Sequence, residues 1–520
     1  MSKSVLSRVG EFVRSLFPAP KPAATQRPDL SLLAAAFNRA YANRIHASYD
    51  AAREGDLTNY WANADTFDAD SANSKEVRQK LVSRSRYEIA NNGYSDGIAQ
   101  TKATHLIGCG PTLRMQTNSE GFNRMIEGQW HLWAKAIKFR RKLWTMAHAH
   151  HGDGEGIGVM RRNPGVRHPV KLDVVLYETE QCQTPYLPFG KPGYIDGIKF
   201  DEFGNPEWYD ILHEHPGSSR RFEFDLTPER VPADRVLHWF KLRRPGQHRG
   251  IPGNTSTLNV GASARRYREA NLATAEKVAN FTVFLETAYQ PDALDQVDPM
   301  SELDMTKGMM TALPNSVRTK QLTAEHPSAN YAEFVRTLIN EQARAANMPF
   351  NVAACDSSSY NYASGRLDHQ TYYGSLDVDR DDCNDLVLDP LFDTWFDLAI
   401  VRFGWLGGNP EAVGPAARSH LWDWPKHRVA DVEAEANAIQ TRLKSGQVFP
   451  HQVFADAGMD LEDELEKAAT TYGVSADEIR TRLLDVLLPP PKQEAAPKAP
   501  AFASLERANG HLNGAAHANS

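Results

Sequence analysis

Strand patterns follow one another between residues 157 and 239, at 170–177, 197–200 and 208–213, with Pro/Gly turns between them and no helical period. Parallel strands need long crossovers, usually helical, so this succession excludes a βαβ alternation and predicts an α+β fold. The flanking blocks are helical and make the chain predominantly so. Helical periods cover 34–49, 76–91 and 122–133 on one side, with a helix, a Gly-Pro turn and a short strand in 93–116. On the other side they cover 255–287, 329–347 and 362–403, with an expected kink at Pro390. Residues 429–488 predict three short helices separated by Gly446, Gly458 and Gly473.

The 520 residues exceed what one core organises and predict two to four compact units. A Pro/Ala linker at 18–28 places the start of the ordered body near Asp29, and Pro489, Pro490 and Pro491 end the last helix before a tail expected to be disordered. Ahead of the linker, Val5, Leu6, Val9, Phe12, Val13, Leu16 and Phe17 recur at helical spacing opposite Lys3, Arg8 and Arg14. Glu11 and Arg14 interrupt the apolar centre a signal peptide needs, so this segment predicts a short amphipathic helix that docks on its own protein or a partner. No run approaches the roughly 18 apolar residues of a membrane span, and no membrane partner is expected. Cys109, Cys182, Cys355 and Cys383 lie far apart, which supports neither a disulfide framework nor a CxxC metal site.

Charge is unevenly spread. The whole chain sums to -7, yet residues 235–268 hold Arg235, Lys241, Arg243, Arg244, Arg249, Arg265, Arg266 and Arg268 and no acid. Such a window predicts either a solvated basic connection or contact with a polyanion or an acidic partner surface. The clearest amphipathic stripe is 329–347, where Tyr331, Phe334, Val335, Leu338, Ile339 and Ala346 oppose Glu333, Arg336, Asn340, Glu341, Arg344 and Asn347. With the helical 362–382 stretch beyond a short polar connection, it predicts a helix hairpin.

Chemistry-bearing clusters are few. His148, His150, His151, Asp153 and Glu155 have metal-ligand side chains, but contiguous in a Gly-rich turn they lack the spaced scaffold of a zinc site. In an Asp-rich run from Asp377, Asp382 and Leu388 stand where an EF-hand requires Gly and Glu, so it predicts an acidic helix face. Neither GxSxG, HExxH nor a Walker motif is present, and no catalytic residue, metal or cofactor is assigned.

Four segments, in order, resemble one family. They are Tyr87-Glu88-Ile89-Ala90-Asn91-Asn92-Gly93-Tyr94 with the Gly108-Cys109-Gly110 turn, and Arg244-Pro245-Gly246-Gln247-His248-Arg249-Gly250-Ile251-Pro252 after His238-Trp239-Phe240. Asn347-Met348-Pro349-Phe350 with Asn361-Tyr362-Ala363-Ser364-Gly365-Arg366 follows, then Trp424-Pro425 with Glu435, Gly446 and Asp456-Ala457-Gly458-Met459-Asp460. Together they are similar to portal proteins of lambda-type tailed phages. Gly365 stands where the family prefers Ala, and Ala430-Asp431-Val432 replaces an Asp-Pro start.

The resemblance implies a homododecameric ring at one capsid vertex, with wing, stem helix pair, clip and helical crown around a channel for double-stranded DNA. Mapped on this chain, it implies a wing over 29–328, stem helices over 329–347 and 362–385 and a clip over 348–361, with Pro349, Tyr360, Asn361 and Tyr362 as clip residues. A tunnel loop and wing helix would fill 386–428 and the crown 429–488. Arg336, Arg344 and Arg366 become stem, tunnel or subunit-interface cations, and Arg243, Arg244, Arg249, Arg265, Arg266 and Arg268 a basic wing patch. Implied partners are the terminase large subunit, a major capsid or scaffold protein and a head-completion or tail-connector protein. The implied location is the virion, with assembly in the host cytoplasm. The competing expectations are a metal-dependent phage nuclease or maturation enzyme built on the His148–Glu155 cluster, and a minor capsid or scaffold protein without a channel.

Overall fold

Polar side chains dominate the inward face of the first long helix. A computed structural model describes residues 64–184, 193–219, 227–279, 283–287, 317–321, 330–358, 360–427, 432–456, 459 and 461–487. The expected N-terminal amphipathic segment, the 34–49 helix and the 489–520 tail lie outside them. Residues 1–67 and 68–520 form separate units, and of the first only 64–67 are described. In the second, a short helix α1 (Ala69–Ala72) precedes α2 (Lys75–Asn91), which buries Arg78, Val82, Ser85 and Glu88. Such a helix must find polar partners.

Asn92 accepts from Tyr94 N–H at 3.2 Å and starts α3 (Gly93–Ile107), whose Ile98, Ala99, Ala103, Leu106 and Ile107 are buried. Strand β1 (Thr112–Met115) follows, then α4 (Glu120–Ala136) and α5 (Phe139–Gly152). Helix α5 replaces the turn expected around the histidines. Phe139, Leu143, Met146, Ala147 and His150 recur along one buried face, so the histidines extend an apolar stripe that ends only at Gly152.

The strand block folds as two antiparallel sheets. Strand β2 (Glu155–Arg162) is central to the first, between β3 (Leu172–Tyr177) and β8 (Val236–Phe240). The second runs β4 (Tyr194–Ile195), β5 (Ile198–Phe200), β6 (Pro206–Ile211), β7 (Glu229–Pro232) in order. Alternation along β2 serves two cores. Ile157 and Val159 pack with Cys182, Ile198, Tyr209, Ile211 and Val231. Gly156, on the other face, admits the α5 backbone: a Cβ there would meet Met146 O at 3.0 Å.

Helix α6 (Leu258–Ala279) stops short of the expected 287, and β9 (Val283–Thr287) pairs antiparallel with β10 (Val317–Gln321). Next come α7 (Tyr331–Ala345), a one-turn α8 (Phe350–Ala354) and α9 (Tyr362–Cys383). A five-residue π turn, Asn384–Leu388, joins α9 to α10 (Asp389–Phe403). Pro390 sits in the first turn of α10, where its missing N–H is tolerated, so the irregularity falls just before it. Trp424 Nε1 donates to Asn384 Oδ1 at 2.9 Å across this turn.

Trp130, Trp133, Phe392, Trp395 and Trp422 form the aromatic centre of the larger core, and Trp133 Nε1 donates to Leu172 O at 2.9 Å. Strand β11 (His420–Asp423) pairs with β1. Four helices follow rather than three: α11 (Val432–Lys444), α12 (Pro450–Asp456), α13 (Leu461–Tyr472) and α14 (Ala476–Leu487). The extra one starts at Pro450, whose fixed φ suits a first helical position.

Candidate functional site

The acid-free window finds its acids elsewhere in the fold. Arg249 is 2% exposed, and its guanidinium meets Glu155 on β2, with Nε at 3.1 Å from Oε2. Nη1 donates to Cys182 O at 3.0 Å, and Nη2 to Thr179 O at 3.2 Å. His238 Nε2 lies 3.1 Å from Glu155 Oε2, which also accepts from Gly250 N–H at 2.9 Å. Burial alone would raise the Glu155 carboxyl, yet Arg249 and the His238 hydrogen bond hold it well below the usual carboxylate range.

The neighbouring motif residues shape this turn. Gln247 Oε1 accepts from Arg243 N–H at 3.0 Å while its Nε2 donates to Arg249 O at 2.8 Å, closing the loop on itself. Asn73 donates to the Arg249 and Gly250 carbonyls at 3.3 and 3.2 Å. Gly250 is obligatory, since a Cβ there would stand 2.2 Å from Gly154 O. Within the Arg-Pro-Gly-Gln-His-Arg-Gly string, Arg244, Pro245 and Gly246 form an exposed turn, while Gln247, Arg249 and Gly250 are buried and staple strand β2 to the chain leading to α6.

The expected basic patch is corrected accordingly. Arg249 is interior, because burying it beside Glu155 satisfies every face of its guanidinium. Arg265 pairs with Glu88 at 2.7 Å, and Arg268 lies 3.4 Å from Asn92 Oδ1 and over the Tyr94 ring. Lys241 pairs with Asp379, 1% exposed, at 2.7 Å, and Lys102 with the same carboxylate at 3.3 Å. Arg243, Arg244 and Arg266 are the members that remain exposed.

The His148–Glu155 cluster separates. His150 stacks on Trp239 at 4.9 Å, His148 on Trp144 at 5.4 Å, Asp153 pairs with Arg86 at 2.7 Å, and Glu155 belongs to Arg249. Burial pushes His150 down to about 3 and His151 well below its ordinary value. A group with metal-ligand side chains does form among the described residues from Glu178, Glu180 and His215. Arg86 already supplies its cation, with Nη1 3.0 Å from both carboxylates. The Asp-rich run lies on α9 and the following π turn, as an acidic helix face, except that Asp379 points inward to Lys102 and Lys241.

The expected hairpin is rearranged. Helix α7 has α6 as its antiparallel partner: Tyr267 stacks on Tyr331 at 5.6 Å and meets Phe334 at 4.9 Å, while Gln342 near the end of α7 borders the same cavity as Leu258 at the start of α6. Helices α7 and α9 instead each pack against α3. The α6/α7 pair thus carries the β9/β10 ribbon between its helices. Sequence reasoning missed this pair because α6 shows no sharp amphipathic stripe. Its signal was the aromatic pair Tyr331 and Phe334, the first half-buried and the second exposed, which meets Tyr267.

Arg336 lies over the Phe350 ring at 4.6 Å, Arg344 donates to Asn347 Oδ1 at 2.8 Å, and Arg366 is exposed on α9. Pro349 is buried and precedes α8. Tyr360 Oη donates to Asp368 at 2.8 Å, with its phenol pushed up to about 12 by burial and that carboxylate. Its ring fills the space a side chain at Gly365 would need, 2.7 Å from where a Cβ would stand, which accounts for glycine there. Asn361 O accepts from Gly365 N–H at 2.8 Å and so opens α9, which begins at Tyr362.

Comparison with known proteins decides the family, because the lambda family of phage portal proteins matches residues 54–377. The chain belongs to that family. Portal proteins are structural components of the virion, so this portal chain is not an enzyme. A probable portal protein of Halomonas phage phiHAP-1 is 26% identical over 454 residues, covering 80% of this chain and 84% of the relative. Among solved structures, a chain of the native gene transfer agent virion is 13% identical with a TM-score of 0.40, covering 73% of the portal chain and 93% of its own length. An HK97-family phage portal protein from Corynebacterium diphtheriae is 11% identical with a TM-score of 0.29, covering 55% and 85%. Among the described residues, no helix is long and apolar enough to cross a membrane.

Proposed function

We propose that this chain is one subunit of a closed twelve-copy ring at a capsid vertex, through which double-stranded DNA passes during packaging and ejection. The observation that carries this is the α6–β9–β10–α7 unit in a chain of the portal family: two antiparallel helices with a ribbon between them in sequence, where the resemblance implies a stem helix pair flanking a clip. The stem helices are then α6 and α7, and the clip is 280–330. The 346–361 segment, which follows the second stem helix, takes the place of the tunnel-facing loop.

This moves Pro349, Tyr360, Asn361 and Tyr362 from clip to tunnel loop. Arg336 and Arg344 stay on a stem helix, and Arg366 lies just beyond the loop. Residues 68–257 and 386–427 form the wing, and 432–487 the crown. The clip docks the terminase large subunit during packaging and a head-completion or tail-connector protein afterwards, while the wing meets major capsid or scaffold protein. Assembly begins in the host cytoplasm. The ATPase belongs to the terminase, so this chain needs no nucleotide site.

A channel must let DNA slide. Each neutralised phosphate adds salt-dependent affinity that movement has to break, so an acidic chain with sparse channel cations favours passage over gripping. Negative-stain images of purified protein test the proposal. Closed rings with a central hole are expected, and dispersed monomers across several salt and pH conditions would sink it.

A further inference from the structure

Helices α2, α3, α6 and α7 meet at the root of the α6/α7 pair around a cavity of about 20 Å³, bordered by Glu88, Ser95, His151, Asn254, Gln342 and Gly261. That volume suits one water molecule and nothing larger. Ile98, Leu258 and Ala345 also line it, so polar side chains share the space with apolar ones. Glu88 is 5% exposed, His151 4% and Asn92 2%, yet Glu88 Oε2, His151 Nδ1, Asn92 Nδ2 and Asn254 Oδ1 have no hydrogen-bond partner among the described residues. Buried polar atoms are ordinarily paired, with protein or with ordered water.

Three polar atoms converge on one point. The place a Cβ would take on Gly261 lies 3.4 Å from Glu88 Oε2, 3.5 Å from Gln342 Oε1 and 3.7 Å from Asn92 Nδ2. We propose that this junction is a binding site for a single structural water, which donates to Glu88 Oε2 and Gln342 Oε1 and accepts from Asn92 Nδ2. Gln342 Oε1 also accepts from Ser95 Oγ at 3.0 Å, and its second lone pair faces the water.

The chemistry selects water over a cation. Asn92 presents an N–H to the same space, and Arg265 Nη2, 2.7 Å from Glu88 Oε1, already supplies the positive charge that the carboxylate needs. Water alone both donates and accepts. The site explains why the inward face of α2 carries Glu88 rather than an apolar residue. It adds the water to the polar contacts Arg265–Glu88, Arg268–Asn92 and Ser95–Gln342, which join the α6/α7 pair to the body beside the buried Leu258, Ile339 and Ala343.

The test uses the full chain with Gly261→Ala and Gly261→Ser. In a helix interior alanine normally stabilises relative to glycine. Here the nearest atoms would stand at ordinary van der Waals distance, so the methyl fits, displaces the water and strands Glu88 Oε2 and Asn92 Nδ2: Tm falls below wild type. Gly261→Ser places a hydroxyl there and recovers most of the loss. A Gly261→Ala Tm at or above wild type overturns the proposal. So does a high-resolution density map of the wild-type protein with no peak within hydrogen-bonding reach of Glu88 Oε2 and Asn92 Nδ2, or a peak at that position replaced by thallium on soaking, which would mark a cation.

Discussion

Arg249 illustrates how a side chain drawn from a basic stretch becomes the anchor of a core. Its partners come from β2, the 179–182 turn and the 196 turn, and Glu155 is 94 residues away in sequence. Removing one member of a buried ion pair leaves the other charge uncompensated, which costs about 3–5 kcal/mol. Arg249→Ala should therefore lower stability by about that much in urea unfolding, and Arg249→Lys should not restore it, because a lysine cannot reach the same set of acceptors. Arg266→Ala, on an exposed side chain of the same window, should stay within about 0.5 kcal/mol. Equal losses for Arg249→Ala and Arg266→Ala would refute the staple. None of this was legible from the window itself. A run of cations without acids looks like surface charge until the fold brings a distant glutamate to it.

Helix α5 shows the same limit one scale up, and it predicts a pH response. His150 and His151 are buried, and desolvation, with Lys102 nearby, holds both below their ordinary value, while Asp379 acts in the opposite direction. Their folded pKa values lie below the unfolded 6.5, so the unfolded chain binds more protons between the two. The stability from neutral histidines is complete above pH 6.5 and is lost as pH falls from there toward about 3. At pH 5 His150 costs roughly 2 kcal/mol relative to pH 8, and His151 acts in the same direction. His420, raised by Asp389, contributes with the opposite sign. The Tm of His150→Gln should fall less steeply between pH 7 and pH 5 than that of wild type, and an identical slope would remove His150 from the account. Periodicity placed α2, α3, α4 and α7, and the strands β3, β5 and β6, within a few residues. It missed α5 because histidines at core positions dilute an apolar stripe, and it paired α7 with its successor in sequence because a 22-residue α6 with weak amphipathicity gave no sign that α7 folds back on it.

For the whole molecule the open question is what the three helix-borne arginines do in an assembly. Arg336 is held over Phe350 and Arg344 by Asn347, so reversing either also disturbs the 346–361 segment. Arg366 is exposed on α9 and gives the cleaner measurement. Within one subunit Arg366→Glu should change stability by no more than about 0.5 kcal/mol, as for other exposed substitutions away from special features. Its effect should appear only between copies or on DNA. Two readouts separate these. A subunit-interface arginine facing a neighbour's carboxylate lowers ring yield in negative stain, and added salt mimics the loss by screening wild type. A channel-facing arginine leaves ring yield intact and lowers the DNA packaged per particle. We expect the first outcome, because the chain is net acidic at -7, which favours a carboxylate of a neighbouring copy as the partner of an exposed arginine. Unchanged ring yield together with unchanged packaged DNA would remove Arg366 from both roles, and the channel would then have to be lined by α6 and α7 without it.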